Sequence, residues 1–195
     1  MQPTAARHLA LSLPNVLTYA RIAAVVAIVA CMYFLPTHAG RWLALAIYIA
    51  ACITDWLDGY LARVWRQQST LGRMLDPIAD KLLVGATLMM LTHDNTIDGL
   101  HIFAAVVILC RVILVSGLRE FLAELNVKVH VTQLAKYKTT LQMIALGFLV
   151  AGPAGDKIFA GTSGVGLALL WFAAMLTLWT GYDYLKAAVK TAIDS

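Results

Sequence analysis

The chain has 195 residues, of which 61% are hydrophobic and 13% charged, with a formal net charge of +4 and a mean hydropathy of +0.76. A soluble domain carries about a quarter charged residues and under half apolar ones, and any compact fold leaves much of its surface exposed. The composition excludes a soluble globular enzyme, a disordered chain and a nucleic-acid binder of ordinary type, and it specifies an integral membrane protein.

Crossing the ~30 Å hydrocarbon core takes about 20 helical residues. Six stretches qualify in chain order: 14–35, 41–62, 72–91, 100–122, 137–150 with an extension at its N-terminal end, and 164–185. Turn-rich breaks separate them at 36–40, 93–99 and 152–164, where Pro, Gly, Asn and Asp cluster. The apolar runs lack the two-residue alternation of a membrane barrel, so the predicted fold is all-α, with six transmembrane helices in a single membrane-embedded domain over 1–195. Basic Arg7 ahead of an apolar run loosely fits a secretory leader. Asn15, Thr18, Tyr19 and Arg21 interrupt that run, however, and no A-x-A site follows, so the stretch reads as a retained first helix.

Six spans place both termini on one side. That side collects Arg7, Arg21, Arg63, Arg66, Arg73, Lys81, Arg119, Lys128, Lys136, Lys138, Lys186 and Lys190, against Arg41 and Lys157 on the other, with Arg111 inside the fourth span. The asymmetry predicts cytoplasmic termini. Cys31, Cys52 and Cys110 show no paired spacing and are expected as buried, apolar thiols; the five histidines form no metal-binding pattern.

Four acids fall where membrane helices normally exclude them: Asp55 and Asp58 at the end of the second span, Asp76 and Asp80 at the start of the third. Each acid in a span costs about 2.5–3.5 kcal/mol on insertion scales, which points to function. The i,i+3 and i,i+4 spacings put each pair on one helix face, and antiparallel packing of the two spans would oppose the pairs. Four converging carboxylates need a cation or protons, and hard oxygen donors suit Mg²⁺, Mn²⁺ or Ca²⁺. Two competing readings stand on spacing alone. The acids could pair with Arg63, Arg66, Arg73 and Lys81 at a membrane edge, or relay ions in a small transporter.

The surrounding residues complete a pattern. Gly59 and Ala62 keep a helix face open, Arg63 offers a fork to phosphate, Gly72 relieves crowding, and Pro77 removes an N–H beside Asp76 and is expected to open the first turns there. Residues 55–80 read D-x₂-D-G-x₂-A-R-x₈-G-x₃-D-x₃-D without a mismatch. The chain thereby resembles the CDP-alcohol phosphotransferase family of membrane enzymes.

The resemblance implies displacement of CMP from a CDP-linked donor by an alcohol, with two divalent cations, Mg²⁺ or Mn²⁺. It also implies a six-helix core, a homodimer and a site open to the cytoplasm. By motif position, Asp55, Asp58, Asp76 and Asp80 are similar to the metal ligands, and Asp80 also to the general base. Gly59, Arg63, Ser69 and Gly72 match positions near the CDP moiety. Pro14 and Asn15 open a segment, through Thr18, similar to one that lines the same site. Beyond the motif, 14–21, 76–84, 111–124 and 136–140 resemble a bacterial branch of the family in the cytoplasmic membrane that joins sn-glycerol 3-phosphate to CDP-diacylglycerol. An acceptor carrying phosphate calls for cations, and Arg111, Arg119, Lys136 and Lys138 are the candidates. Arg111 would otherwise pair with an acid such as Asp183, and the other three would otherwise meet anionic headgroups. Other acceptors of the family (inositol phosphate, serine, phosphatidylglycerol) remain open, and an ion-coupled transporter is the reading from another class.

Overall fold

The structure, a computed structural model, describes residues 13–64, 70–124 and 133–194; within these helices the side chains at 13–14, 58–64, 70–71, 73, 124, 133–136, 183–184 and 187–194 lie outside the description. The described residues form six helices: α1 Leu13–Phe34, α2 His38–Val64, α3 Thr70–His93, α4 His101–Glu124, α5 Gln133–Asp156 and α6 Thr162–Asp194. The fold is all-helical. Four of the helices are long and apolar enough to cross a membrane, over Asn15–Phe34, His38–Leu57, His101–Ala123 and Thr162–Tyr182. In α3 the charged residues Asp76, Asp80 and Lys81 dilute the apolar character of a helix that is otherwise long enough.

The chain divides into two compact units, 1–90 and 91–195. In the first, α1 packs on α2. The break between them is shorter than the sequence suggests, because Thr37 caps α2. Its hydroxyl accepts the Gly40 N–H at 3.1 Å, and its carbonyl accepts the Arg41 N–H at 3.0 Å, so the helix starts at His38. Gly40 is required there, since a Cβ would lie 2.0 Å from the Leu35 carbonyl oxygen. Pro77 does not open the first turns of α3, as the sequence suggested. The helix runs through it from Thr70, losing one backbone hydrogen bond without breaking.

In the second unit, α6 packs on both α4 and α5. The α3–α4 connection is an Asx turn: the Asp94 carboxylate accepts the Thr96 N–H at 3.0 Å, Asn95 adopts φ 58°, and Ile97 is buried behind it. At the predicted break after Val150, α5 bends at Gly152 (φ 42°, ψ −128°) and carries on to Asp156. Asp156 then ties the end of α5 to the start of α6 by accepting from the Ser163 N–H at 3.0 Å and from the Ser163 hydroxyl. Gly166 lets α6 cross close to α5, where a Cβ would meet the Leu149 side chain at 2.9 Å.

The cysteines depart from expectation. All three are free, as predicted, but none is buried: Cys31 and Cys52 are half-buried and Cys110 is exposed. An apolar membrane helix gives no amphipathic signal for which side faces its neighbours, so their rotational placement could not be read in advance.

Candidate active site

The acids of the motif are reached through α1. The buried stripe of this helix runs Asn15, Thr18, Arg21, Val25, Ile28, Met32, with steps of three and four residues that keep one face inward. Its first half is polar and its second half apolar. Burying three polar side chains is tolerable only when they are partnered, and two of them meet motif acids on other helices.

Arg21 lies one turn beyond Thr18. Its Nη1 is 2.8 Å from Asp55 Oδ1 on α2, with the arginine side chain fully buried and that of Asp55 42% exposed. The Thr18 hydroxyl donates to Asp76 Oδ1 on α3 at 2.6 Å. One face of α1 thus gathers a carboxylate from each of the two helices that carry the motif.

The phase of α2 and α3 explains how the acids arrive there. Ala44, Tyr48 and Ala51 are buried at helical spacing, and Asp55 continues their stripe. On α3, Asp76 and Asp80 lie in line with buried Ala79, Leu83 and Thr87. Asp80 is half-buried, and Gly72, one turn ahead of Asp76, is buried. Both acids of the third helix therefore share the face that packs inward. Among the described residues, no three His, Cys, Asp or Glu side chains converge as a metal-holding group. Asp58 is a residue of α2 whose side chain lies outside the description, as do those of Pro14 and Arg63 and the surroundings of Gly59; Ser69 lies outside the described residues altogether.

The candidate cations for an acceptor phosphate belong to the second unit. Arg111 continues the inward stripe of Ala104, Ile108, Val115 and Leu122 on α4. Its Nη2 donates to the Thr180 hydroxyl of α6 at 3.3 Å, and Thr180 in turn donates to the Leu176 carbonyl at 2.9 Å. A Cβ on Gly181 would lie 3.4 Å from the Arg111 side chain, so the glycine leaves room for the arginine stem. Lys138 is buried in line with Gln142, Ala145 and Leu149 on α5, whereas Arg119 is exposed. The Lys136 side chain and the Asp183 side chain, the alternative partner of Arg111, lie outside the description.

The contacts of two residues escaped the sequence. Arg21 was legible as a positive charge on the basic side and as the end of the 14–21 segment that resembles the family branch, and Thr18 as part of that segment near the nucleotide. Their three-residue spacing, matched to acids on two other helices, was the available signal. The Trp171 indole N–H donates to His101 Nδ1 at 3.0 Å, joining α6 to the first turn of α4.

Comparison with known proteins accounts for most of the chain. The family model for CDP-alcohol phosphatidyltransferase matches residues 11–179. A protein of Rickettsia bellii (strain RML369-C) is 48% identical over 179 residues, covering 92% of this chain and 96% of its own length. One of Cereibacter sphaeroides is 37% identical over 94% of this chain and 98% of its own length, and one of Shigella flexneri serotype 5b is 38% identical with the same coverage. All three relatives are named CDP-diacylglycerol–glycerol-3-phosphate 3-phosphatidyltransferase. With a model matched from Leu11 to Trp179 and relatives similar along nearly their whole length, the chain belongs to the CDP-alcohol phosphatidyltransferase family.

Proposed function

We propose that this protein transfers the phosphatidyl group of CDP-diacylglycerol to sn-glycerol 3-phosphate, giving phosphatidylglycerophosphate and CMP. The observation that carries the reading is the complete motif from Asp55 to Asp80, in a chain 48% identical to a relative named for this reaction. The acceptor's hydroxyl oxygen bonds to the phosphorus that carries diacylglycerol, the bond from that phosphorus to the CMP oxygen breaks, and the hydroxyl proton passes to Asp80.

Asp55, Asp58, Asp76 and Asp80 are the residues that would hold two divalent cations, Mg²⁺ or Mn²⁺. Their all-oxygen donor set fits hard ions, and the half-exposed carboxylate of Asp55 leaves an oxygen beyond the one that faces Arg21. Such ions neutralise phosphoryl charge and stabilise attacking and departing oxygens. Asp80 serves by its position and accepts the proton as the hydroxyl is acidified during attack. Pro14, Asn15, Gly59, Arg63, Ser69 and Gly72 are assigned to the CDP moiety. Arg111, Arg119, Lys136 and Lys138 are assigned to the acceptor phosphate on charge and on the fork chemistry of arginine.

The proposal includes six membrane crossings, with both termini and the acids on the cytoplasmic side of a bacterial inner membrane, and assembly as a homodimer. The basic asymmetry of the connections supports the orientation. The test is CMP release by purified protein in detergent with CDP-diacylglycerol, Mg²⁺ and one alcohol at a time. Release with glycerol 3-phosphate, lost in Asp80→Asn, bears the reading out; release only with another alcohol moves the acceptor and keeps the site.

A further inference from the structure

Arg21 is among the largest fully buried side chains of the protein, and it faces a carboxylate assigned to metal. A guanidinium with no exposed surface cannot swing into water to make way for an incoming cation, and stripping it of its anion leaves an uncompensated buried charge. Its Nη1 pairs with one oxygen of Asp55, whose side chain stays 42% exposed. One turn away, the Thr18 hydroxyl takes one oxygen of Asp76. The two contacts differ in kind and in charge: Arg21 Nη1 meets Asp55 as an ion pair without hydrogen-bond geometry, whereas neutral Thr18 donates a hydrogen bond to Asp76.

We infer that α1 presets the acidic site, with Arg21 as a resident counter-ion that keeps Asp55 Oδ1 engaged and turns its other oxygen to the ligand, and Thr18 as a neutral positioning residue for Asp76. This rests on the reading that the acidic cluster binds divalent cations. Arg21 stabilises the ion-free site and, by the same charge, weakens the hold on an incoming ion, since like charges a few ångströms apart repel strongly at reduced dielectric. Thr18 adds no repulsion; it only restricts the carboxylate, and a hydroxyl bond to a charged acceptor is among the stronger hydrogen bonds.

Removing the two side chains therefore has opposite consequences for ion affinity. The measurement is Mn²⁺ binding to the full chain in detergent, counting free ion by electron paramagnetic resonance, with Tm recorded in EDTA and in Mn²⁺. Arg21→Gln is expected to tighten Mn²⁺ binding on the order of tenfold, to lower Tm in EDTA, and to regain part of that loss when Mn²⁺ is added. Thr18→Val is expected to weaken binding by about three- to tenfold, with Thr18→Ser restoring it. A merely structural role for either residue loosens binding or leaves it unchanged, so folded Arg21→Gln with equal or weaker affinity overturns the inference, as does tighter binding in Thr18→Val. Where Arg21→Gln does not fold, Arg21→Lys decides: it keeps the charge, so affinity stays within about threefold of wild type, and a tenfold change overturns the inference. Wild-type protein that binds no Mn²⁺, and matches Asp55→Asn in doing so, overturns the metal reading itself, an outcome distinct from any change of sign between variants.

Discussion

Arg111 on α4 donates to the hydroxyl of Thr180 on α6 at 3.3 Å, so this arginine of a candidate span is tied to the helix that packs against its own. A guanidinium deep in a span is costly and marks a functional position, which the proposed reaction assigns to the acceptor phosphate.

Arg111→Ala is accordingly expected to raise KM for glycerol 3-phosphate by at least about tenfold, while KM for CDP-diacylglycerol stays within about twofold. Steady-state CMP release with each substrate varied separately makes the comparison. Equal losses for both substrates refute a role specific to the acceptor.

Chelation should stop turnover. With EDTA in excess, CMP release falls to background, and addition of Mg²⁺ or Mn²⁺ restores it. Turnover that persists at full rate under chelation refutes the two-cation site.

The α5–α6 crossing predicts a contrast between two glycines. In Gly166→Ala the new Cβ meets Leu149 at 2.9 Å from its side chain and 3.2 Å from its backbone nitrogen, so the helices must separate, at a cost of about 1–3 kcal/mol. Gly164→Ala meets nothing within 4 Å and is expected to be neutral or to raise Tm slightly through helix propensity. Thermal unfolding of both variants in one detergent reads the difference.

Asp156 predicts a pH dependence. Hydrogen bonds from the Ser163 hydroxyl and backbone N–H hold its carboxyl below the usual carboxylate range, with lesser help from the Gly161 and Thr162 backbone. A depressed folded-state pKa means the bond's contribution is fully present above the unfolded value near 3.9 and is lost as pH falls through the lower folded value. Asp156→Asn should therefore lower Tm at pH 6, and its gap to wild type should close progressively as pH drops below about 4. A gap of the same size at pH 6 and at pH 3 refutes the assignment.

The local signals in the sequence were sound where chemistry is local. Asn95, Gly99 and Gly152 mark bends by their own backbone preferences, and the connections fall among them. The start of α2 was placed three residues late, because the Thr37 cap lets the helix begin before the apolar run does. What could not be read was pairing. Asp55 and Asp76 were expected to converge because two helices oppose them; the partners observed come from a third helix, on which Thr18 and Arg21 looked respectively like a motif residue and a topology charge. A single sequence states the face on which a residue lies far better than it states what that face meets. The same gap hid the bond between Trp171 and His101, residues seventy positions apart.

The change from polar to apolar along the buried stripe of α1 fixes how deep this helix can sit. A slide of one turn would exchange Arg21 for Val25 opposite Asp55, so the N-terminal half of α1 holds its register against α2. Bilayers differ in thickness by several ångströms, and a span normally adapts by shifting or tilting. Here the polar half of α1 is tied to acids of its neighbours, which leaves the far end, with exposed Tyr33, Phe34 and Leu35, as the part of the span where a mismatch in length is taken up.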